Sequence, residues 1–355
     1  MIGADSWRPR AEGRLSLAET SYELDVSVVI CTYSEERWQC LVDAIRSVQQ
    51  QSIPPREVIV VADYNEELLK RMQRCLRDVT AIPNSGERGA GGARNTGVMA
   101  ATGSIVAFLD DDAVAVPDWI EQMREPLSDP NALGVGGEVV PRWLAPPPPW
   151  FPSEFGWVLG CSYRGLPEST SPIRNVMAGN MAVRRHVFLS LGGYRRGHGN
   201  VRFDTASPEN AKRHRFVTRQ SGCEETDFCI RALRRWPGSV WIYHPPVRIH
   251  HRVPAARLSW NYFLARCNDE GLAKATVVVK FSGGKLGLAS ERSYVAETLP
   301  SGIRLGLKDF LSGDPWGLAR AGAIFVGLSV TALAYLRGRL STIAVRPFLG
   351  ALRKR

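Results

Sequence analysis

The run Ile105-Val106-Ala107-Phe108-Leu109-Asp110-Asp111-Asp112-Ala113 constrains this chain more than any other stretch. Its apolar half reads as a strand buried on both faces, as parallel sheets require. The aspartates that follow fall at the carboxyl end of that strand, the edge where open α/β sheets bind ligands. Adjacent carboxylates repel one another unless a cation is shared among them. Short hard-oxygen ligands suit Mg²⁺ or Mn²⁺, ions that commonly bridge to substrate phosphates. A single Asp here would read as a cap or turn residue. Three in succession read as a metal and phosphate site.

The preceding residues supply the frame. Residues 26–33 form a second buried-strand run that ends in small polar groups. Trp38, Leu41, Val42, Ile45 and Val48 then recur at helical spacing, Pro54-Pro55 breaks the chain, and residues 57–63 begin another strand. Alternating strands and helices imply right-handed crossovers and a mostly parallel, Rossmann-like α/β sheet covered on both faces. Asp63 closes its strand as Asp110, Asp111 and Asp112 close theirs. Before the acidic strand lies Gly86-Glu87-Arg88-Gly89-Ala90-Gly91-Gly92-Ala93-Arg94-Asn95-Thr96-Gly97. Its glycines permit close backbone approach, and a helix over residues 93–101 would turn its N-terminus toward an anion. Arg94 stands within reach of a pyrophosphate.

Four motifs occur here in the order seen in family 2 glycosyltransferases. They are Val-Ser-Val-Val-Ile-Cys-Thr-Tyr from Val26, Gly-Ala-Arg-Asn-Thr-Gly from Gly92, Phe-Leu-Asp-Asp-Asp from Phe108, and Glu224-Glu225-Thr226-Asp227. Over residues 24–275 the chain resembles that family. The resemblance implies the GT-A fold, nucleotide-sugar donors and transfer with inversion. It places Thr32, Tyr33 and Asp63 at the nucleobase and ribose, Asp111 near the ribose, and Arg94 and Asn95 on the donor side. Asp110 and Asp112 match the family's Asp-x-Asp pair, with Asp112 the favoured metal ligand. His251 matches a histidine that completes the metal or diphosphate shell. Position matching puts the general base on Glu225, with Glu224 the second candidate. Residues 175–181, with Gly179 and Asn180, resemble the acceptor-side strand and turn, and Asp227 joins that side. Two departures stand out: Ala62 fills a place often acidic in the family, and Glu224-Glu225 replaces the usual Glu-Asp.

The chemistry explains this residue set. An acceptor hydroxyl attacks the anomeric carbon opposite the departing nucleoside diphosphate, and a carboxylate must take its proton. Cationic groups offset the charge that builds on the diphosphate. The acids Glu224, Glu225 and Asp227 also suit a helix N-terminus, because Phe228, Ala232, Leu233 and Trp236 follow at helical spacing. Such a turn is a good mount for a base.

Organisation and partners are read from length, charge and cysteine usage. The expected parts are a flexible segment 1–23, a GT-A domain 24–275 and a C-terminal helical region 276–355. The domain divides into a nucleotide-sugar half (24–140) and an acceptor half (141–275). Seven scattered cysteines without metal spacing, and no secretory signal, point to a reduced cytoplasmic setting. A net charge of +10 fits nucleic acid, anionic membranes or phosphorylated substrates. No nucleic-acid motif is visible, so nucleic acid is not an expected partner. Residues 195–219 are strongly basic. Residues 321–336 carry no charge and are flanked by Arg320, Arg337 and Arg339, a borderline span or an interfacial segment at the inner face of a membrane. The acceptor is therefore expected to be a saccharide, lipid-linked or phosphorylated, in cell-envelope polysaccharide or glycolipid synthesis. A sugar-nucleotide nucleotidyltransferase is the alternative enzyme. It would place a Gly-rich catalytic loop directly after the first strand, where this chain has Cys31-Thr32-Tyr33-Ser34. A basic membrane or nucleic-acid adaptor is the non-catalytic alternative.

Overall fold

The computed structural model describes residues 25–195, 223–280 and 289–352. The expected flexible segment 1–23 and residues 196–219 of the basic stretch lie outside the described residues. Strands β1 (Val26–Thr32), β2 (Glu57–Ala62) and β4 (Ile105–Asp110) are near-continuous apolar runs because both of their faces are covered. Val28, Ile30, Val58, Val60, Ala107 and Leu109 enter one core, while Val29, Ile59, Val61, Val106 and Phe108 enter the other. That split is the period-two pleat expressed as two cores.

Helices close both faces. On the first, α1 (Trp38–Gln49) buries Leu41, Ala44, Ile45 and Val48. Also on that face is α2 (Glu66–Cys75), whose Asn65 cap accepts the Leu68 N–H at 3.0 Å. On the second face, α3 (Ala90–Ala100) buries Ala93 and Val98. It starts three residues before the helix predicted over 93–101. Its cap residue Gly89 has φ +117°, a conformation that favours glycine.

The main sheet has eight strands in the order β3-β2-β1-β4-β9-β6-β10-β8. β3 (Thr80–Pro83), β2, β1 and β4 are parallel, as are β6 (Ala132–Gly136) and β10 (Val240–Tyr243). β9 (Asn180–Arg184) runs antiparallel between β4 and β6, and β8 (Ser171–Ile173) antiparallel on the edge. A three-stranded sheet of β5 (Ala113–Ala115), β11 (Ile249–Val253) and β7 (Val139–Trp143) stands just beyond the end of β4. α4 (Trp119–Leu127), α5 (Arg185–Ser190) and α6 (Glu224–Arg235) complete this α/β body.

The C-terminal helices pack onto the body. α7 (Trp260–Lys280), α8 (Ala289–Ser293), α9 (Leu299–Leu311) and α10 (Trp316–Leu352) follow in sequence, and α10 lies along both α7 and α9. Ala321, Ile324 and Ala334 are buried there, whereas Phe325, Leu333, Leu336 and Leu340 point outward at 55–69% exposure. Residues Trp316–Ser341 are long and apolar enough to cross a membrane, and a third of their most apolar window is buried. The uncharged segment 321–336 therefore has one packed face and one open apolar face.

Candidate functional site

β4 carries the aspartates to the sheet edge, and the elements around it supply cations. A 3₁₀ turn after β1 (Glu35–Arg37) directs Arg37 at both Asp111 and Asp112, the latter at 2.9 Å. His251, on β11, meets Asp112 through Nε2 at 3.3 Å. Arg257 reaches both groups, 3.4 Å from Asp112 and 3.3 Å from the His251 ring. Cys161 Sγ lies 3.7 Å from the remaining ring nitrogen. Burial alone would raise Asp112, yet the His251 hydrogen bond and the Arg37 and Arg257 guanidinium groups hold it well below the usual carboxylate range. Asp111 behaves oppositely: burial outweighs Arg37 and pushes it up to about 6.

A second cluster joins the acidic strand to the glutamates. Arg94 is 7% exposed and donates to Asp110 at 2.8 Å and to Glu224 at 2.9 Å. It clamps α3, β4 and α6 together and also lines the cavity, on the side where the sequence reading placed the donor pyrophosphate. α6 opens with Glu224 and Glu225 in its first turn, where acids favour the helix dipole. Glu225 faces the same cavity and makes no ion pair among the described residues. Burial raises its carboxyl above the ordinary value. Gly179 lies directly over Asp110, where any Cβ would overlap the carboxylate, so the turn before β9 closes onto the site.

One cavity of about 790 Å³ connects these groups. Thr32, Tyr33, Asp63, Arg94, Asp110, Asp111, Asp112, Gly179, Glu224, Glu225 and His251 all line it. Asp63 is fixed there by Asn84 at 2.7 Å and by the Gly89 N–H at 2.9 Å. Among the described residues, the Thr32 hydroxyl, Asp111 Oδ2 and Glu224 Oε2 are buried without hydrogen-bond partners, as ligand-facing groups would be. Three expected residues lie behind the wall instead. Asn95 bonds the Tyr194 backbone in both directions at 2.9 Å. Asn180 is fully buried, accepting from Trp119 and donating to the Glu138 and Val247 carbonyls. Asp227 is 1% exposed and takes Arg231 at 2.7 Å. In this structure all three brace the backbone around the cavity.

The expected metal set Asp110, Asp112 and His251 does not converge. Asp110 is turned to Arg94, and among the described residues no group of three His, Cys, Asp or Glu side chains could hold a metal ion. The residues that would hold Mg²⁺ or Mn²⁺, with substrate phosphate oxygens completing the shell, are then Asp112 and His251, whose Oδ1 and Nε2 lie 3.3 Å apart on the cavity wall. Sequence reasoning missed Arg37, Cys161 and Arg257. Only Arg257, six residues past His251, carried any local signal.

The burial of Glu224 has a measurable consequence. Burial outweighs Arg94 and pushes its carboxyl from an ordinary 4.5 up to about 7. A folded-state value above the unfolded one favours the fold below the unfolded value and loses that contribution as pH rises through the folded value. Between about pH 5 and about pH 8 the melting temperature of the native protein should fall more steeply than that of Glu224→Gln. Parallel melting curves across that range would contradict the burial argument.

Residues 27–192 match the family described as Glycosyl transferase family 2. A protein of Haloferax volcanii named glucosyl-dolichyl phosphate glucuronosyltransferase is 32% identical over 325 residues, 90% of this chain and 97% of its own. The succinoglycan biosynthesis protein ExoM of Rhizobium meliloti is 25% identical over 81% of this chain and 94% of its own. Among solved structures, the mannosyltransferase PcManGT of Pyrobaculum calidifontis, in complex with GDP-Man and Mn²⁺, superposes with TM-score 0.53 at 18% identity. The match covers 88% of each chain, and the likeness is one of fold. With an acidic strand end and a glutamate pair lining one shared cavity on a GT-A fold, this chain belongs to glycosyltransferase family 2 and is a nucleotide-sugar-dependent glycosyltransferase.

Proposed function

We propose that this enzyme transfers a sugar, with inversion, from a nucleoside diphosphate sugar to a saccharide carried on a lipid phosphate. The observation that carries the reading is the course of the cavity. Its lining takes in both the aspartates and Glu224-Glu225 and, on α10, Leu328, Ala332 and Tyr335. A polar reaction centre opening onto an apolar helix suits an acceptor with a sugar at one end and a lipid at the other. The name of the haloarchaeal relative agrees, and makes a glucuronosyl donor and a glucosylated prenyl phosphate the first pair to test.

Glu225 takes the proton of the attacking hydroxyl as the new bond to the anomeric carbon forms and the nucleoside diphosphate leaves from the opposite face. Arg94 holds Glu224 and Asp110 in place around that event. Asp112 and His251 are the residues that would hold Mg²⁺ or Mn²⁺, an ion that supplies positive charge for the leaving diphosphate when bound. Phe325, Leu333 and Leu336 form an open apolar face beside Arg337, which suits a helix lying against the cytoplasmic leaflet. Because α10 also lines the cavity, it cannot be removed without opening the site. Its exposed face is the part to alter.

The test combines a panel of uridine and guanosine diphosphate sugars, farnesyl-phosphate-linked glucose as acceptor, and Mn²⁺ with or without chelator. Expected results are nucleoside diphosphate release that needs acceptor and metal, and a product of inverted anomeric configuration by NMR. A retained configuration or chelator-insensitive turnover would refute the mechanism. Placing Glu at positions 325, 333 and 336 together should release the protein from anionic vesicles with its melting temperature little changed. Equal vesicle binding by both proteins refutes the membrane face.

A further inference from the structure

Beyond Glu225 the cavity wall holds a set of charges that the transfer chemistry does not use. Arg174 follows β8, Lys274 lies on α7 and Glu291 on α8, and all three line the cavity. Arg174 forks onto the Glu291 carboxylate at 2.5 and 2.7 Å, and Lys274 reaches the same carboxylate at 2.7 Å while also meeting Glu270 at 3.3 Å. A planar fork plus a point cation around one anion is the arrangement that recognises phosphoryl oxygens. The cations sit deeper than the anion: side-chain exposures are 6% for Arg174 and 15% for Lys274, against 25% for Glu291. Burial would raise Glu291, but Lys274 and Arg174 hold it down to about 2. Arg266 stands two helical turns before Lys274, lines the same cavity and has no ion-pair partner among the described residues.

Position supports a ligand role. Lys274 and Glu270 are among the charges that act on Glu225, so the cluster borders the base on its acceptor side. On the other side α7 packs against α10: Gly271, three residues before Lys274, lies against Thr331, Ala334 and Tyr335. Lys274 therefore stands on a helix that meets both Glu225 and α10, so an acceptor with its hydroxyl at Glu225 and its lipid toward α10 would bring its phosphate to Lys274 and Arg174.

We propose that Arg174 and Lys274 form the phosphate subsite for the lipid-linked acceptor, and that Glu291 is a resident carboxylate displaced when the phosphate enters. The proposal rests on the acceptor being carried on a lipid phosphate. A phosphodiester has one negative charge, as the carboxylate does, so the exchange preserves the local charge balance. The expelled Glu291 side chain, the shallowest of the three, regains water.

The test is equilibrium binding to the full-length protein, followed by tryptophan fluorescence. The two probes are farnesyl phosphate-linked glucose and farnesyl glucoside, matched in lipid and sugar. The native protein should prefer the phosphorylated probe about tenfold or more. Lys274→Met should abolish the preference, and Glu291→Gln should increase it about threefold or more by removing the competitor. A purely structural ion pair would move both variants in the same direction, so opposite shifts identify the subsite. A native preference below about twofold, or like shifts in both variants, overturns the proposal. If Lys274→Met does not fold, Glu291→Gln decides: a raised preference supports the subsite, and an unchanged or lowered one overturns it. Phosphate-selective binding without any sugar transfer would refute the proposed function and leave the subsite standing.

Discussion

Glu225→Gln is expected to lower kcat by about 10²- to 10⁴-fold, the usual cost of removing a positioned general base. Donor affinity should stay within about twofold, because the proton is accepted only in the transition state and ground-state binding does not use it. The structure favours this residue on geometry. Glu224 has one oxygen on Arg94 and the other buried against α3, whereas Glu225 is half-buried, faces the cavity and has no described ion-pair partner. Its burial-raised carboxyl should also place the acid limb of kcat above the ordinary carboxylate range, with rate rising as the pH passes it. Glu224→Gln removes a charge from the Arg94 clamp, so its expected signature is a changed melting profile with a smaller loss of rate. The full loss in Glu224→Gln, with Glu225→Gln near the native rate, would move the base by one residue. Mild and equal effects in both variants would remove the base assignment altogether.

The parts of the fold legible in the sequence are those whose information is local. β1, β2 and β4 are short apolar runs closed by small or acidic residues, and α1 shows its buried stripe directly. The position of β9 carried no such signal. Asn180–Arg184 is an apolar strand like the others, and its antiparallel place between β4 and β6 is set by tertiary pairing. The site divides in the same way. The aspartates and the glutamate pair announce themselves by adjacency. Arg37 meets Asp111 across 74 residues and Arg174 meets Glu291 across 117, separations for which sequence offers no spacing rule. Arg94 was visible as a basic residue in a glycine-rich helix start, but its carboxylate partners Asp110 and Glu224 lie on other elements and were not. Asn95, Asn180 and Asp227 show the complementary pattern: polar residues in functional motifs also brace the backbone that shapes a site.

Asp112→Asn should cause the second large loss, and it separates stability from chemistry. One carboxylate at 6% exposure answers Arg37, Arg257 and His251. After substitution Arg37 keeps Asp111, but Arg257 loses its carboxylate in a setting where its side chain is only 10% exposed. Breaking a buried pair from one side costs about 3–5 kcal/mol, so a clear drop in melting temperature is expected. Activity should be compared below the melting temperature of the variant, where the fold is intact. There the native enzyme should bind donor more tightly as Mn²⁺ is added, and the variant should lose that response together with most turnover. Asparagine retains the shape and one acceptor oxygen, so losing the Mn²⁺ response points to the missing charge rather than a missing contact. Turnover at the native rate, or donor affinity that still climbs with Mn²⁺, would show that the cation acts elsewhere. In that case Arg37 and Arg257 would be the groups that meet the leaving diphosphate, and the Asp112–His251 pair would serve to orient them.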